Sequence, residues 1–274
     1  MKSYLLNQSQ IWTLDGKSAE SLNSSLSDES GYMGIVRAAV DNNKVFEKFR
    51  SNREYLDILD HVSYEQGLAY WQSISDEKLS FDINWIRNFN RVGSPLTYPY
   101  HQITEFQLSP TLLRYMKVAK DLEKYFGNLS DLSVGEIGIG YGGQTLVLNQ
   151  MYGTSKFVWF DLPEVMQLAE KFIGEVCEMP SVQQIDGRNP KPHSVDLIVS
   201  NYAFSELSPA VQKQYLDNAI LKSSRGYVTW NVLSERLLGG LSSRDFMSLV
   251  PGAKSFPEIP ETYPGNQIIV WGQE

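Results

Sequence analysis

The chain has a single cysteine, Cys177, among 274 residues. One thiol excludes an internal disulfide and any thiolate metal cluster. It reads as a small apolar packing residue rather than a nucleophile. Histidine is also scarce, with His61, His101 and His193 the three present. No window reaches the roughly 18 apolar residues of a membrane span. The opening Met1-Lys2-Ser3-Tyr4-Leu5-Leu6-Asn7-Gln8 has too short an apolar run for a secretory signal. These absences lead to the expectation of a cytoplasmic protein. Basic runs are missing too. The 24 Lys and Arg stand against 32 Asp and Glu, a net charge of −8, which disfavours nucleic acid as a partner because phosphates demand a basic footprint. No compact Asp-x-Asp element occurs, so no metal site is expected, although Asp82, Glu206 and Asp217 can still converge in space. Internal repeats are absent.

What is present is ordinary globular composition, 42% apolar and 20% charged, with length for one large domain or two small ones. A Ser-rich stretch, 15–30, reads as a flexible arm or a solvated helix. Over 32–71, Ile35, Val36, Ala39, Val40 and then Tyr55, Leu56, Ile58, Leu59, Val62 recur at helical spacing. Residues 80–108 read as irregular loop on account of Gly93, Pro95, Pro99 and clustered aromatics. Tyr98 and Tyr100 there either stack on a ligand ring or pack.

Ser109-Pro110 opens a helix with an N-cap and a proline at its first position, and Gly127 stops it. From 133 the rhythm becomes β-α-β-α. Strands are expected at 133–137, 156–160, 181–184, 195–200 and 227–230, and helices at 143–151, 163–176 and 209–222. A further helix, 242–249, and a last strand, 267–271, follow. Alternation of this kind predicts a mostly parallel, doubly wound α/β sheet with helices on both faces. It divides the chain into a mostly helical region, 1–108, and a sheet domain, 109–274.

The sheet domain is organised around Val134-Gly135-Glu136-Ile137-Gly138-Ile139-Gly140-Tyr141-Gly142-Gly143-Gln144. A short strand ends in an acid, four glycines fall in six positions, and a helix begins. Such a turn lets backbone approach a ligand closely and aims helix N-terminal amides at it. Gly138-x-Gly140-x-x-Gly143 fits the dinucleotide fingerprint, with Asp161 at a distance suited to a ribose. Glu136 inside the motif, the extra Gly142 and the short remainder of chain point away from an NAD-type oxidoreductase. Asp161 also suits a helix start, favourable to the dipole of the helix at Pro163.

Glu136-Ile137-Gly138-Ile139-Gly140, followed by an acid closing the next strand, resembles the first motifs of class I methyltransferases, with Gly135 in place of an apolar residue. With Ser109–Lys117, the Ser200-Asn201-Tyr202-Ala203-Phe204-Ser205-Glu206-Leu207 stretch and 226–231, the chain resembles the bacterial family assigned as sugar O-methyltransferases. The likeness covers about 90–231. It implies a Rossmann-like class I methyltransferase sheet and S-adenosylmethionine as cofactor. It also implies a small-molecule or glycan acceptor, sugar-like, in surface polysaccharide or a glycosylated metabolite.

By the same resemblance Glu136, Gly138, Gly140, Gly142, Gly143 and Gln144 line the cofactor's amino-acid end. Asp161, with the adjoining Leu162, holds the ribose. Asp186 contacts the adenine amine or is a turn residue. Asn201 and Tyr202 stand where cofactor and acceptor meet. A base helps a hydroxyl attack, and Glu206, His101 and Tyr202 are the candidates. Glu206 equally suits the start of the helix at Pro209. Other readings stay open: methylation of an amine or phosphate-type group, or a methyltransferase-like module that only binds. A homo-oligomer is compatible with all of them.

Overall fold

The computed structural model describes residues 31–75, 82–101, 103–178 and 180–273. The Ser-rich stretch 15–30 and Phe81 lie outside the described residues. Seven strands form one sheet: β1 (Ser133–Ile137), β2 (Lys156–Asp161), β3 (Ser181–Asp186), β4 (Leu197–Asn201), β5 (Arg225–Trp230), β6 (Lys254–Pro257) and β7 (Gln267–Trp271). Their order is β3-β2-β1-β4-β5-β7-β6. The first five run parallel, and β7 is antiparallel to both β5 and β6. This is a mostly parallel, doubly wound Rossmann-like sheet with helices on both faces, as the sequence led us to expect.

Both faces are buried, and side-chain alternation assigns each strand residue to one of them. Val134, Phe157, Trp159, Leu197, Val199, Tyr227, Ile268 and Val270 join one apolar cluster. Ile137, Val158, Phe160, Ile198, Val228, Trp230, Ile269 and Trp271 join the other. Gly135 lies on the second face, and its departure from an apolar residue has a steric cause. A Cβ there would lie 2.8 Å from Ile198 Cδ1 and 3.0 Å from Val195 Cγ2.

The helices are α1 (Tyr32–Asp41), α2 (Tyr64–Gln72), α3 (Ile83–Arg91), α4 (Pro110–Phe126), α5 (Gly143–Tyr152), α6 (Pro163–Val176), α7 (Pro209–Asn218), α8 (Val232–Leu238) and α9 (Ser243–Leu249), with shorter turns between them. Leu112 of α4, Leu146 of α5 and Phe172 of α6 cover the first face. Val211 of α7 and Phe246 of α9 cover the second. The N-terminal helices form a further layer on the first face: α1 packs on α6 and α2 on α4. Lys171 of α6 donates to the carbonyls of Ala39 and Val40 at the end of α1, 3.0 Å each, where a cation suits the helix dipole. Val36, Phe49, Tyr55 and Phe89 belong to the same core as Leu112 and Phe172.

Two expectations need correction. Residues 83–91, read as loop, are the helix α3: Asp82 accepts from the Trp85 N–H at 2.8 Å, and Trp85 and Phe89, four apart, are buried. The loop-forming residues begin only at Gly93. The helix expected over 209–222 ends at Asn218, and a 3-10 turn, Ile220–Lys222, follows. The sequence reading lacked α8 and β6 altogether. β6 is an edge strand with an exposed, non-alternating pattern and a proline, so it carries no period-2 signal.

Candidate active site

Ligands of such sheets bind beyond the carboxyl ends of the strands, where the order reverses. Here that point lies between β1 and β4. The turn after β1 puts Gly138 at φ +78° and Gly140 at φ +53°, a region costly for residues with a Cβ. Both glycines are also packed by the chain itself. A Cβ on Gly138 would lie 2.2 Å from Ala203 Cβ, and one on Gly140 2.9 Å from Leu59 Cδ1. Gly142 is the N-cap of α5 in the left-handed region, and Gly143 is the first helical residue.

Glu136 is buried at 3% exposure. Its Oε2 accepts from the Thr145 hydroxyl at 2.9 Å, and that hydroxyl accepts from Trp159 Nε1 at 3.0 Å. Burial pushes its pKa up to about 8, so Glu136 keeps its proton at neutral pH.

Asp161 closes β2. Its Oδ1 accepts from the Leu162 N–H at 2.7 Å and its Oδ2 from the Gly140 N–H at 3.4 Å. The acid on the second strand is thus tied to the glycine turn of the first. Leu162 is the N-cap residue of α6. Asp186 pairs in register with Asp161 across β2 and β3. It is exposed, and its Oδ1 accepts from the Arg188 N–H at 3.0 Å, so it also serves the turn.

Asn201 ends β4. Its Nδ2 donates to Gln144 Oε1 at 3.3 Å, and Gln144 Nε2 donates to the Tyr115 carbonyl at 3.1 Å. Tyr202 follows at φ +68°, which strains a bulky residue by about 1–3 kcal/mol. Its hydroxyl donates to Glu258 Oε1. Burial and the nearby tyrosine and Glu258 hold its pKa well above the ordinary value. In this arrangement the Tyr202 hydroxyl is a donor. Glu206 ends a 3-10 turn, Ala203–Glu206. Its Oε1 accepts from Asn231 Nδ2 at 3.0 Å, and burial raises its pKa, against the pull of Asn231 and Arg114.

A small cavity of about 20 Å³ lies beside these strand ends, lined by Arg114, Asn201, Tyr202, Tyr70, Lys117 and Glu258 among others. His101 is not one of its lining residues. It sits on an exposed turn and makes no hydrogen bond with a described residue, so it has no orienting partner there. Tyr100 is fully buried and stacked on Tyr64 with ring centroids 4.9 Å apart, and it packs rather than offering a surface. Of the acids considered for a metal, Asp82 caps α3 and Asp217 pairs with Lys213 at 2.7 Å. No group of three His, Cys, Asp or Glu among the described residues is placed to hold a metal ion.

Sequence reasoning gave no role to Arg114. Arg114 is 7% exposed, on the buried side of α4. The available signal was a cation inside an otherwise apolar helical stretch, Leu112-Leu113-Arg114-Tyr115-Met116. The donor set fits S-adenosylmethionine: a fixed carboxylate at the end of β2 suits a vicinal diol, and buried polar atoms without partners, Arg114 Nε and Asn201 Oδ1, lie at the end of β4.

No protein-family model matches the chain, and no curated protein matches it. Solved structures do match. A candidate O-methyltransferase from Nostoc punctiforme aligns over 60% of this chain and 57% of its own, at 13% identity and a TM-score of 0.44. The chain thus spans less than two thirds of that protein's length. LaPhzM aligns over 93% of this chain and 75% of its own, at 14% identity and a TM-score of 0.44. A SAM-dependent methyltransferase from Aquifex aeolicus aligns over 56% and 87%, at 18% identity and a TM-score of 0.42. Likeness at this level adds nothing to what the strand order shows, which is a Rossmann-like α/β sheet.

Proposed function

We propose that the protein is an S-adenosylmethionine-dependent O-methyltransferase acting on a hydroxyl of a sugar or sugar-like acceptor. The observation that carries the reading is the row of polar groups along the carboxyl ends of neighbouring strands: Asp186 on β3, Asp161 on β2, the glycine turn after β1 and Asn201 on β4. The sugar preference rests on the resemblance of 136–144 and 200–207 to the bacterial sugar O-methyltransferases.

When bound, the cofactor supplies a methyl group already electrophilic on its sulfonium. The chain's task is then to bind, align and deprotonate. Asp161, held by the Gly140 and Leu162 amides, accepts from the ribose hydroxyls, and Asp186 accepts from the adenine amine. Glu136 through Gln144, with Asn201, line the amino-acid end. Glu206 takes the proton of the acceptor hydroxyl. Its raised pKa brings it nearer the working range of a base at neutral pH, and Asn231 fixes the carboxylate.

Calorimetric titration with S-adenosylhomocysteine and with NAD tests the cofactor. Heat with the first and none with the second is expected, and the reverse sinks the reading. Asp161→Ala should cost about 30-fold or more in S-adenosylhomocysteine affinity, because two charge-assisted hydrogen bonds are lost. Glu206→Gln should slow methyl transfer by about 10²–10⁴-fold while leaving that affinity unchanged. Full activity in this variant places the base elsewhere.

A further inference from the structure

We infer that Ser205 is a positioning residue for Glu206: its hydroxyl ties the turn after β4 to the backbone of Asn231, and Asn231 aims the Glu206 carboxylate. The inference rests on the methyltransferase reading above, in which Glu206 takes the acceptor's proton, and it assigns the group that holds that base in place.

The contacts from Ser205 to Glu206 are continuous. Ser205 is 2% exposed, so its hydroxyl finds its partners within the protein. It donates to the Tyr202 carbonyl at 2.7 Å and accepts from the Asn231 N–H at 3.0 Å. Asn231 is the N-cap of α8, and its Oδ1 accepts from the Leu233 N–H at 3.0 Å. That cap turns the amide and leaves Nδ2 as the donor, which meets Glu206 Oε1 at 3.0 Å. Ser205 thus fixes the Asn231 backbone while the cap fixes its side chain, and the carboxylate is held by the result. Ser205 is not among the residues lining the cavity, so it acts through Asn231 rather than on a ligand.

The other side of Ser205 is equally constrained. Tyr202, at φ +68°, is in a strained region that persists only where the surroundings over-determine it, and such residues cluster at active sites. Its N–H donates to the Thr229 carbonyl at 3.1 Å, and its carbonyl accepts from the Ser205 N–H at 2.9 Å as well as from the Ser205 hydroxyl. Its own hydroxyl donates to Glu258. The connection between β6 and β7 then reaches back to α8. Thr262 Oγ1 donates to Glu258 Oε2 at 2.6 Å and accepts from Asn266 Nδ2 at 3.1 Å, and Asn266 Oδ1 accepts from the Val232 N–H at 3.1 Å. One connection therefore holds both 202 and 232, and Ser205 bridges 202 to 231 directly.

This arrangement sets how Glu206 titrates. Burial raises its pKa, while the Asn231 hydrogen bond and then the charge of Arg114, from α4, pull it down. Releasing Asn231 removes the first of those two pulls, so the carboxyl should hold its proton to higher pH.

The test follows Glu206 by NMR against pH in the full chain labelled with ¹³C at the glutamate carboxyl carbons, its resonance assigned by its loss in Glu206→Gln. Ser205→Ala should raise the Glu206 midpoint by about one pH unit. The Glu136 midpoint should stay where it is in the wild-type protein, and calorimetric affinity for S-adenosylhomocysteine should change by less than about twofold. Ser205→Cys, which keeps a weaker donor and acceptor at the same place, should lie between wild type and Ser205→Ala. Asn231→Ala should raise the midpoint at least as far, and adding Ser205→Ala to it should raise it no further, because the two act in series. An unchanged Glu206 midpoint in Ser205→Ala and Ser205→Cys, or a further rise in the double variant, overturns the positioning role and leaves the methyltransferase reading standing. Failure of the wild-type protein to bind S-adenosylhomocysteine overturns that reading and the role of Glu206 with it.

Discussion

Glu136 is a buried acid whose charge has no cation within reach, and its behaviour follows from that. Its unfolded-state pKa is near the ordinary 4.5, and burial raises the folded value to about 8. Between those values the folded chain holds a proton that the unfolded chain has released, so stability falls as pH rises through this window. The loss is on the order of a few kcal/mol across it. Urea midpoints of the wild-type protein should therefore decline between pH 5 and pH 8. Glu136→Gln should flatten that decline, and an unchanged slope in the variant would mean that another group carries it. The sequence made Glu136 legible as an unusual acid in an apolar strand, but its spacing does not reveal that the side chain turns inward to Thr145. Arg114 was harder still. Nothing in a helical stretch tells whether a cation ends in solvent or, as Arg114 does, buried beside the Tyr115 ring, because that depends on which face the partner layer covers.

At the scale of elements, the strands were the most legible part, since β1, β2, β4, β5 and β7 are buried on both faces and read as short apolar runs between turn signals. Boundaries at 163–176 and 267–271 agree with the structure. The misread elements have two physical causes. α3 hides its helical spacing behind bulky aromatics, and β6 and α8 bury too little to leave a pattern. How the N-terminal layer attaches was invisible in sequence. Arg50, fully buried, donates to Asp60, to the Phe89 carbonyl at 2.8 Å and to the Tyr141 hydroxyl at 3.0 Å. It lies 4.5 Å from the Tyr141 ring centroid. One residue thus ties the helices before α4 to the glycine turn. Arg50→Met leaves Asp60 buried without its cation and should cost about 3–5 kcal/mol, read as a lower urea midpoint. A change below about 1 kcal/mol would show that the pair is not needed to hold this layer.

At the scale of the molecule, the helical layer and the sheet share one core, so the region read as 1–108 is packed as part of the whole, at least over its described residues. No helix of the described chain is long and apolar enough to cross a membrane. The contact with the widest reach is Leu59. Its side chain rests against Gly140 and its carbonyl holds Arg114, while the cavity beside Arg114 encloses only about 20 Å³, room for about one water molecule. Leu59 thereby ties the N-terminal layer both to the glycine turn and to α4. Leu59→Ala should therefore lower the urea midpoint, and an unchanged midpoint would show that this contact is dispensable to both.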